Sequence, residues 1–190
     1  MGKSISVKPT KTRELWTCMD RDERINFIPS SHTYILDQSR RLLSVTTMIK
    51  TVFPQFDADA VIDKLYQNKN PKYVGQERAD IKRAWREKGQ QAAKLGTRMH
   101  QAIEDFYVKG RVPDSDYDPA LRQFEVFAAD NTHLSPRMVE GIVFHEDLGL
   151  AGSIDMVFQD PSGGLHIYDW KRTKDLPRNK PYEDYCLVPG

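Results

Sequence analysis

Cysteine is nearly absent. The 190-residue chain carries only Cys18 and Cys186, which excludes a disulfide framework, an all-cysteine zinc site and a four-cysteine iron–sulfur cluster. The expected setting is intracellular and reducing. Long apolar runs are missing too, none approaching the roughly 20 residues of a membrane span, so no membrane span is expected. Charge of one sign is also lacking: Lys and Arg total 28 against 27 for Asp and Glu, a formal charge of +1. A nucleic-acid partner would have to be drawn by local clusters of charge.

What is present describes a globular chain with room for one domain, with 39% hydrophobic and 29% charged residues and a mean hydropathy of −0.63. Residues 1–24 are polar and read as a flexible arm, 25–174 as the folded domain, and 175–190, with Pro177, Pro181 and Pro189, as an irregular tail. Two short strands, 32–36 and 41–45, flank the polar turn Asp37-Gln-Ser-Arg. Ser44 or Thr46 is placed to cap a helix that runs to Phe53 and stops at Pro54, and a second short helix is expected over 57–66. The longest helix, 76–108, sets Ile81, Trp85, Ala92, Gly96, Met99, Ile103 and Phe106 at helical spacing, with a bend expected at Gly89 and a stop at Gly110. Asp118-Pro119 opens another helix, ending near Asn131.

After Pro136 the pattern turns extended, over 138–145, 150–159 and 165–171. The expected fold class is therefore α+β, a helical amino-terminal half packed on a three-stranded antiparallel meander. Pro161-Ser-Gly163 fits a three-residue hairpin loop, which sets Asp155 opposite Asp169 with Cβ atoms about 5 Å apart. A four-residue loop over 146–149 sets Glu140 across from Asp155. Three carboxylates in one row, next to Ala151, Ile142, Phe144 and Ile167, repel one another unless a divalent cation sits among them. Oxygen donors favour Mg²⁺ or Mn²⁺ over zinc. Lys171 shares the Asp169 face about 7 Å along the strand, placed to stabilise a phosphoryl oxygen or to help deprotonate water. Gly96, His100 and Glu104 share a helix face; Gly96 is expected to allow close packing on the sheet, leaving His100 to offer the one nitrogen ligand.

Leu95-Gly-Thr-Arg-Met-His100, Val139-Glu-Gly, Ala151-Gly-Ser-Ile-Asp155 and Ile167-Tyr-Asp-Trp-Lys171 together resemble the successive motifs of the PD-(D/E)XK nuclease superfamily. The likeness is to its RecB-like branch, which includes the mitochondrial genome maintenance exonuclease and viral exonucleases, and the upstream His32-Thr-Tyr and Ser44-Val-Thr-Thr resemble that branch's lead-in. The resemblance implies a restriction-endonuclease-like core and Mg²⁺- or Mn²⁺-dependent hydrolysis of DNA. It implies Asp155 and Asp169 as metal-binding carboxylates, His100 as a further ligand, Lys171 as the catalytic lysine and Glu140 as an accessory acid. An exonuclease on single strands or ends is the favoured version; a silent or partner-completed binding subunit and an RNA endonuclease are the alternatives. The branch's closing Gln-x-x-x-Tyr helix has no counterpart, since no Gln follows Gln159. The final helix and strand are thus expected to be lacking, and a chain ending at Gly190 to need its own extension, a partner or a second subunit for activity.

For nucleic acid, Arg78, Lys82, Arg83, Arg86, Lys94 and Arg98 form one basic cluster and Lys171, Arg172, Lys174, Arg178 and Lys180 another. Arg83, Arg86, Arg98, Arg172 and Lys174 are the chosen contacts, and Trp85, Trp170 and Tyr168 are candidates for base stacking.

Overall fold

A computed structural model describes residues 22–114 and 118–173. Most of the arm, the tail from Lys174 onward and its Pro177, Pro181, Arg178 and Lys180 lie outside the described residues. Ten elements follow in order: β1 (Ile25–Ile28), β2 (Thr33–Leu36), β3 (Arg40–Ser44), α1 (Val45–Val52), α2 (Ala58–Gln67), α3 (Arg78–Lys109), α4 (Pro119–Asp130), β4 (Ser135–His145), β5 (Leu150–Gln159) and β6 (Leu165–Tyr168). The fold is α+β, as expected, but the sheet is larger and mixed. The expected three-stranded antiparallel meander is present as β4-β5-β6, but it is part of one six-stranded sheet in the order β1-β2-β3-β5-β4, with β6 also on β5.

β4 runs antiparallel along all of β5, so β3 and β6 must share β5's other edge. There β3 pairs parallel through Leu43 with Leu150 and Ser44 with Ala151. The amino-terminal strands join because they have an apolar face to bury: Ile25, Tyr34, Leu36 and Leu42 pack with Ala151, and Phe27, Ile142 and Phe144 close the cluster. A second core gathers Met99, Ile103 and Phe106 of α3 with Leu121 and Phe124 of α4, and Phe127 and Trp170 flank it.

The local signals act as their chemistry demands. Asp57 accepts from the Asp59 and Ala60 amides and starts α2, and Asp118 accepts from the Ala120 amide before Pro119 at the first turn of α4. Ser44 occupies the cap position of α1, yet its side chain makes no capping bond. Gly110, at φ 66°, ends α3 in the left-handed conformation that glycine adopts without a Cβ penalty. α3 runs unbroken through Gly89 for 32 residues, about 48 Å. A Cβ built on Gly96 would meet nothing within 4 Å; this glycine does not serve close packing on the sheet.

Both hairpin registers match the expectation. His145 pairs with Leu150 and Gln159 with Leu165, and the Asp160 amide donates to the Gly164 carbonyl at 2.9 Å. β6, however, ends at Tyr168 rather than Lys171. Among the described residues no helix is long and apolar enough to cross a membrane.

Candidate metal centre

The end of β6 builds the site. The Trp170 N–H donates to Asp155 Oδ2 at 2.7 Å. The carboxylate thus takes a donor that would otherwise continue the backbone ladder, and the chain peels away one residue after the strand. The carbonyl of the same residue faces His100 Nε2 of α3 at 3.0 Å. A carbonyl only accepts, so Nε2 carries the N–H and donates.

That bond decides what the other ring nitrogen does. In the neutral imidazole Nδ1 then holds a lone pair, and it stands 3.2 Å from Glu140 Oε1 and 3.8 Å from Asp155 Oδ2. Three acceptors converging on one point repel unless a proton or a cation lies between them. Donor atoms of His100, Glu140 and Asp155 all lie within 4.8 Å of one another, and all three residues are half-buried. One imidazole nitrogen and two carboxylates fit Mn²⁺ or Mg²⁺, and a histidine anchored through its second nitrogen to a backbone carbonyl is the usual posture of a metal ligand.

Glu140 enters from an irregular point of β4. The register sets Val139 opposite Met156 and Gly141 opposite Ile154, with Glu140 and Asp155 unpaired between them. Glu140 has φ 48°, a left-handed conformation costing about 1–3 kcal/mol in a residue with a side chain. Such strain persists only where surrounding contacts impose it. Burial holds the Glu140 carboxyl above its ordinary pKa and the Asp155 charge adds to this; a His100 hydrogen bond opposes it only when Nδ1 also carries a proton and donates. A bound cation would reverse both penalties by favouring the ionised form.

The expected row of three carboxylates is therefore two carboxylates and a histidine. Asp169 lies past the end of the ladder, exposed, and its Oδ1 accepts from Lys171 Nζ at 2.7 Å. With side chains 58% and 75% exposed, each has only the other as an ion-pair partner among the described residues. Ile167 is 71% exposed, so the wall expected beside the row is open at this end.

The chosen basic residues divide. Arg172 reaches inward to Asp118 at 3.3 Å, a carboxylate that is 2% exposed. It ties the chain after the site to the start of α4. Arg83 pairs with Asp80 at 2.7 Å, whereas no ion pair engages Arg86 or Arg98 among the described residues. Lys174 lies outside the described residues. Trp170 and Tyr168 are not free to stack on bases: Trp170 sits edge-on to Phe124 and Phe127, and Tyr168 to Phe127 and Phe158.

Sequence reasoning missed the part played by the Trp170 backbone, because any residue supplies an N–H and a carbonyl. It missed the Arg172–Asp118 tie as well, although a helix-capping aspartate with an arginine on the opposite side of the site was a usable hint. Comparison with protein-family models gives no match to this chain, and comparison with curated proteins gives none either.

Proposed function

We propose that this chain is a divalent-metal-dependent nuclease that hydrolyses phosphodiester bonds of DNA, favouring single strands or ends. The observation that carries the reading is the convergence of His100 Nδ1, Glu140 and Asp155 on one point, with His100 anchored by the Trp170 carbonyl. Bound there, Mg²⁺ or Mn²⁺ would supply a Lewis acid for a phosphoryl oxygen and a nucleophilic water at neutral pH. The resemblance to RecB-like nucleases supports the same chemistry.

The protein's own groups have distinct tasks in this reading. The Trp170 N–H orients Asp155, and the Trp170 carbonyl sets the tautomer and plane of His100. Lys171, mostly exposed and one residue beyond Trp170, offers a cation to phosphoryl oxygens that gain charge in the transition state. For that, its ammonium exchanges the Asp169 carboxylate for the substrate.

A specific observation favours a second reading, a nucleic-acid-binding subunit that does not cleave: Asp169 and Lys171 pair with each other outside the three-ligand group. End-labelled and internally labelled DNA and RNA, incubated with Mg²⁺, Mn²⁺ or EDTA, separate the possibilities. Metal-dependent shortening of DNA supports the proposal. Binding without cleavage in any metal overturns it in favour of the silent subunit, and cleavage of RNA alone overturns the choice of DNA.

A further inference from the structure

Beyond the metal centre, α3 leads to a cleft of ≈ 350 Å³ lined by Phe56, Ala58, Lys82, Trp85 and Arg86. Trp85 is fixed in place: its indole N–H donates to the Tyr73 hydroxyl at 3.3 Å, and the Tyr73 ring meets it edge-on with centroids 5.9 Å apart. Phe56, on the loop between α1 and α2, tilts 56° to the indole at 6.0 Å and leaves 72% of its surface in water. A large apolar ring held open in this way, beside a fixed indole, offers two aromatic faces to a flat ligand.

Cations surround these rings. Lys72 Nζ lies 5.4 Å from the Tyr73 ring centre. Lys82 is tied to Asp59 at 2.7 Å, but no ion pair engages Arg86 among the described residues. Rings and uncompensated positive charge in one cleft match a ligand that alternates flat bases with phosphates.

Helix geometry joins cleft and metal centre. Trp85 and His100 lie about 22 Å apart along α3 and about 60° apart around its axis, and Arg86 lies about 40° from His100 on the other side. At about 3.4 Å per stacked nucleotide, that distance spans about six nucleotides of one strand.

We infer that the Trp85–Phe56 cleft is a stacking subsite for a base of single-stranded nucleic acid, with Arg86 meeting its phosphate, about six nucleotides from the metal centre. The distance to the site of cleavage rests on the nuclease reading; the stacking itself does not. Binding is therefore measured without metal, in EDTA, using an oligothymidylate of about twelve nucleotides. Phe56→Ala should weaken binding about fivefold or more, the scale of one lost base stack, and Phe56 is exposed enough for the fold to tolerate the change. Trp85→Phe should abolish the quenching of indole emission that the strand causes in the parent, a sign of direct stacking that a structural role would not show. A blunt duplex of the same length should bind without quenching.

Unchanged affinity in Phe56→Ala, or quenching that survives Trp85→Phe, overturns the inference even if the enzyme cleaves DNA. An acidic, aromatic peptide that binds more tightly than the strand and loses affinity in Phe56→Ala also overturns it. If the oligonucleotide results hold but no metal supports cleavage, the stacking subsite stands and the nuclease reading falls.

Discussion

The two halves of α3 are held in place by different forces. From Met99 to Phe106 the helix buries Met99, Ile103 and Phe106 against Leu121 and Phe124, and this half carries His100. Its first turns bury only Ile81 and lean on α2 through ion pairs, Arg78 with Asp59 and Asp63 and Lys82 with Asp59, whose carboxylates are exposed and whose cations are half-buried. Apolar burial is not screened by salt, and it holds the turns of α3 on either side of His100. Exposed ion pairs are weak and screened. The site sits on the half that packing makes rigid, and the aromatic cleft on the half that charge holds more loosely.

That contrast can be broken at several points. The largest effect is expected at the inner half: Asp155→Asn should lower metal-dependent cleavage about 1000-fold, equivalent to about 4 kcal/mol, while the amide oxygen still accepts the Trp170 N–H and circular dichroism stays unchanged. Cleavage at the parent's rate would remove the three-ligand centre from the mechanism. Phe124→Ala should cost about 3–5 kcal/mol in chemical denaturation, because it empties a site shared by Phe106, Tyr107 and Trp170. A loss below about 1 kcal/mol would mean that packing does not hold this half.

Lys171→Ala should slow cleavage about 100-fold and leave metal-free DNA affinity within about twofold, since its proposed work is in the transition state. Equal losses would make it an ordinary phosphate contact.

The smallest effect belongs to the outer half. The Lys82 ammonium, and with it Arg78, holds the Asp59 carboxyl below its ordinary pKa of 3.8. A depressed acid contributes stability that is present above that ordinary value and lost as pH falls through the lowered one. Hydrogen exchange at the first turns of α3 should therefore accelerate relative to the 99–106 segment as pH falls below about 4, and likewise in high salt near neutrality. Equal protection of both segments under all conditions would erase the distinction.

Much of this was legible along the chain. Asp57 and Asp118-Pro119 mark helix starts, Gly110 marks a stop, and Pro161-Ser-Gly163 together with the 146–149 loop set two hairpin registers, each by contacts between near neighbours. His100 and Asp155 were identifiable as partners because one sits at a helical repeat and the other at a determined register. Asp169 was placed with them by extending β6 three residues too far, to Lys171; the ladder stops at Tyr168, and beyond it the Asp155 side chain captures the Trp170 amide. A rival acceptor of that kind has no signature in strand periodicity.

The sequence by itself determined the α+β class, the bounds of every element except β1 to within a few residues and the hairpin pairings, since these depend on turn chemistry and on periodicities of two and 3.6 residues. Only the tertiary structure decided that β3 lies parallel to β5, that Gly96 faces open space, that Glu140 takes a left-handed backbone, and that Arg172 turns inward to Asp118. Those outcomes come from competition among groups far apart in the chain for the same buried space and the same hydrogen-bond partners. His100 meets Glu140, forty residues further on, and the Trp170 carbonyl, seventy residues further on, only where α3 packs against the sheet.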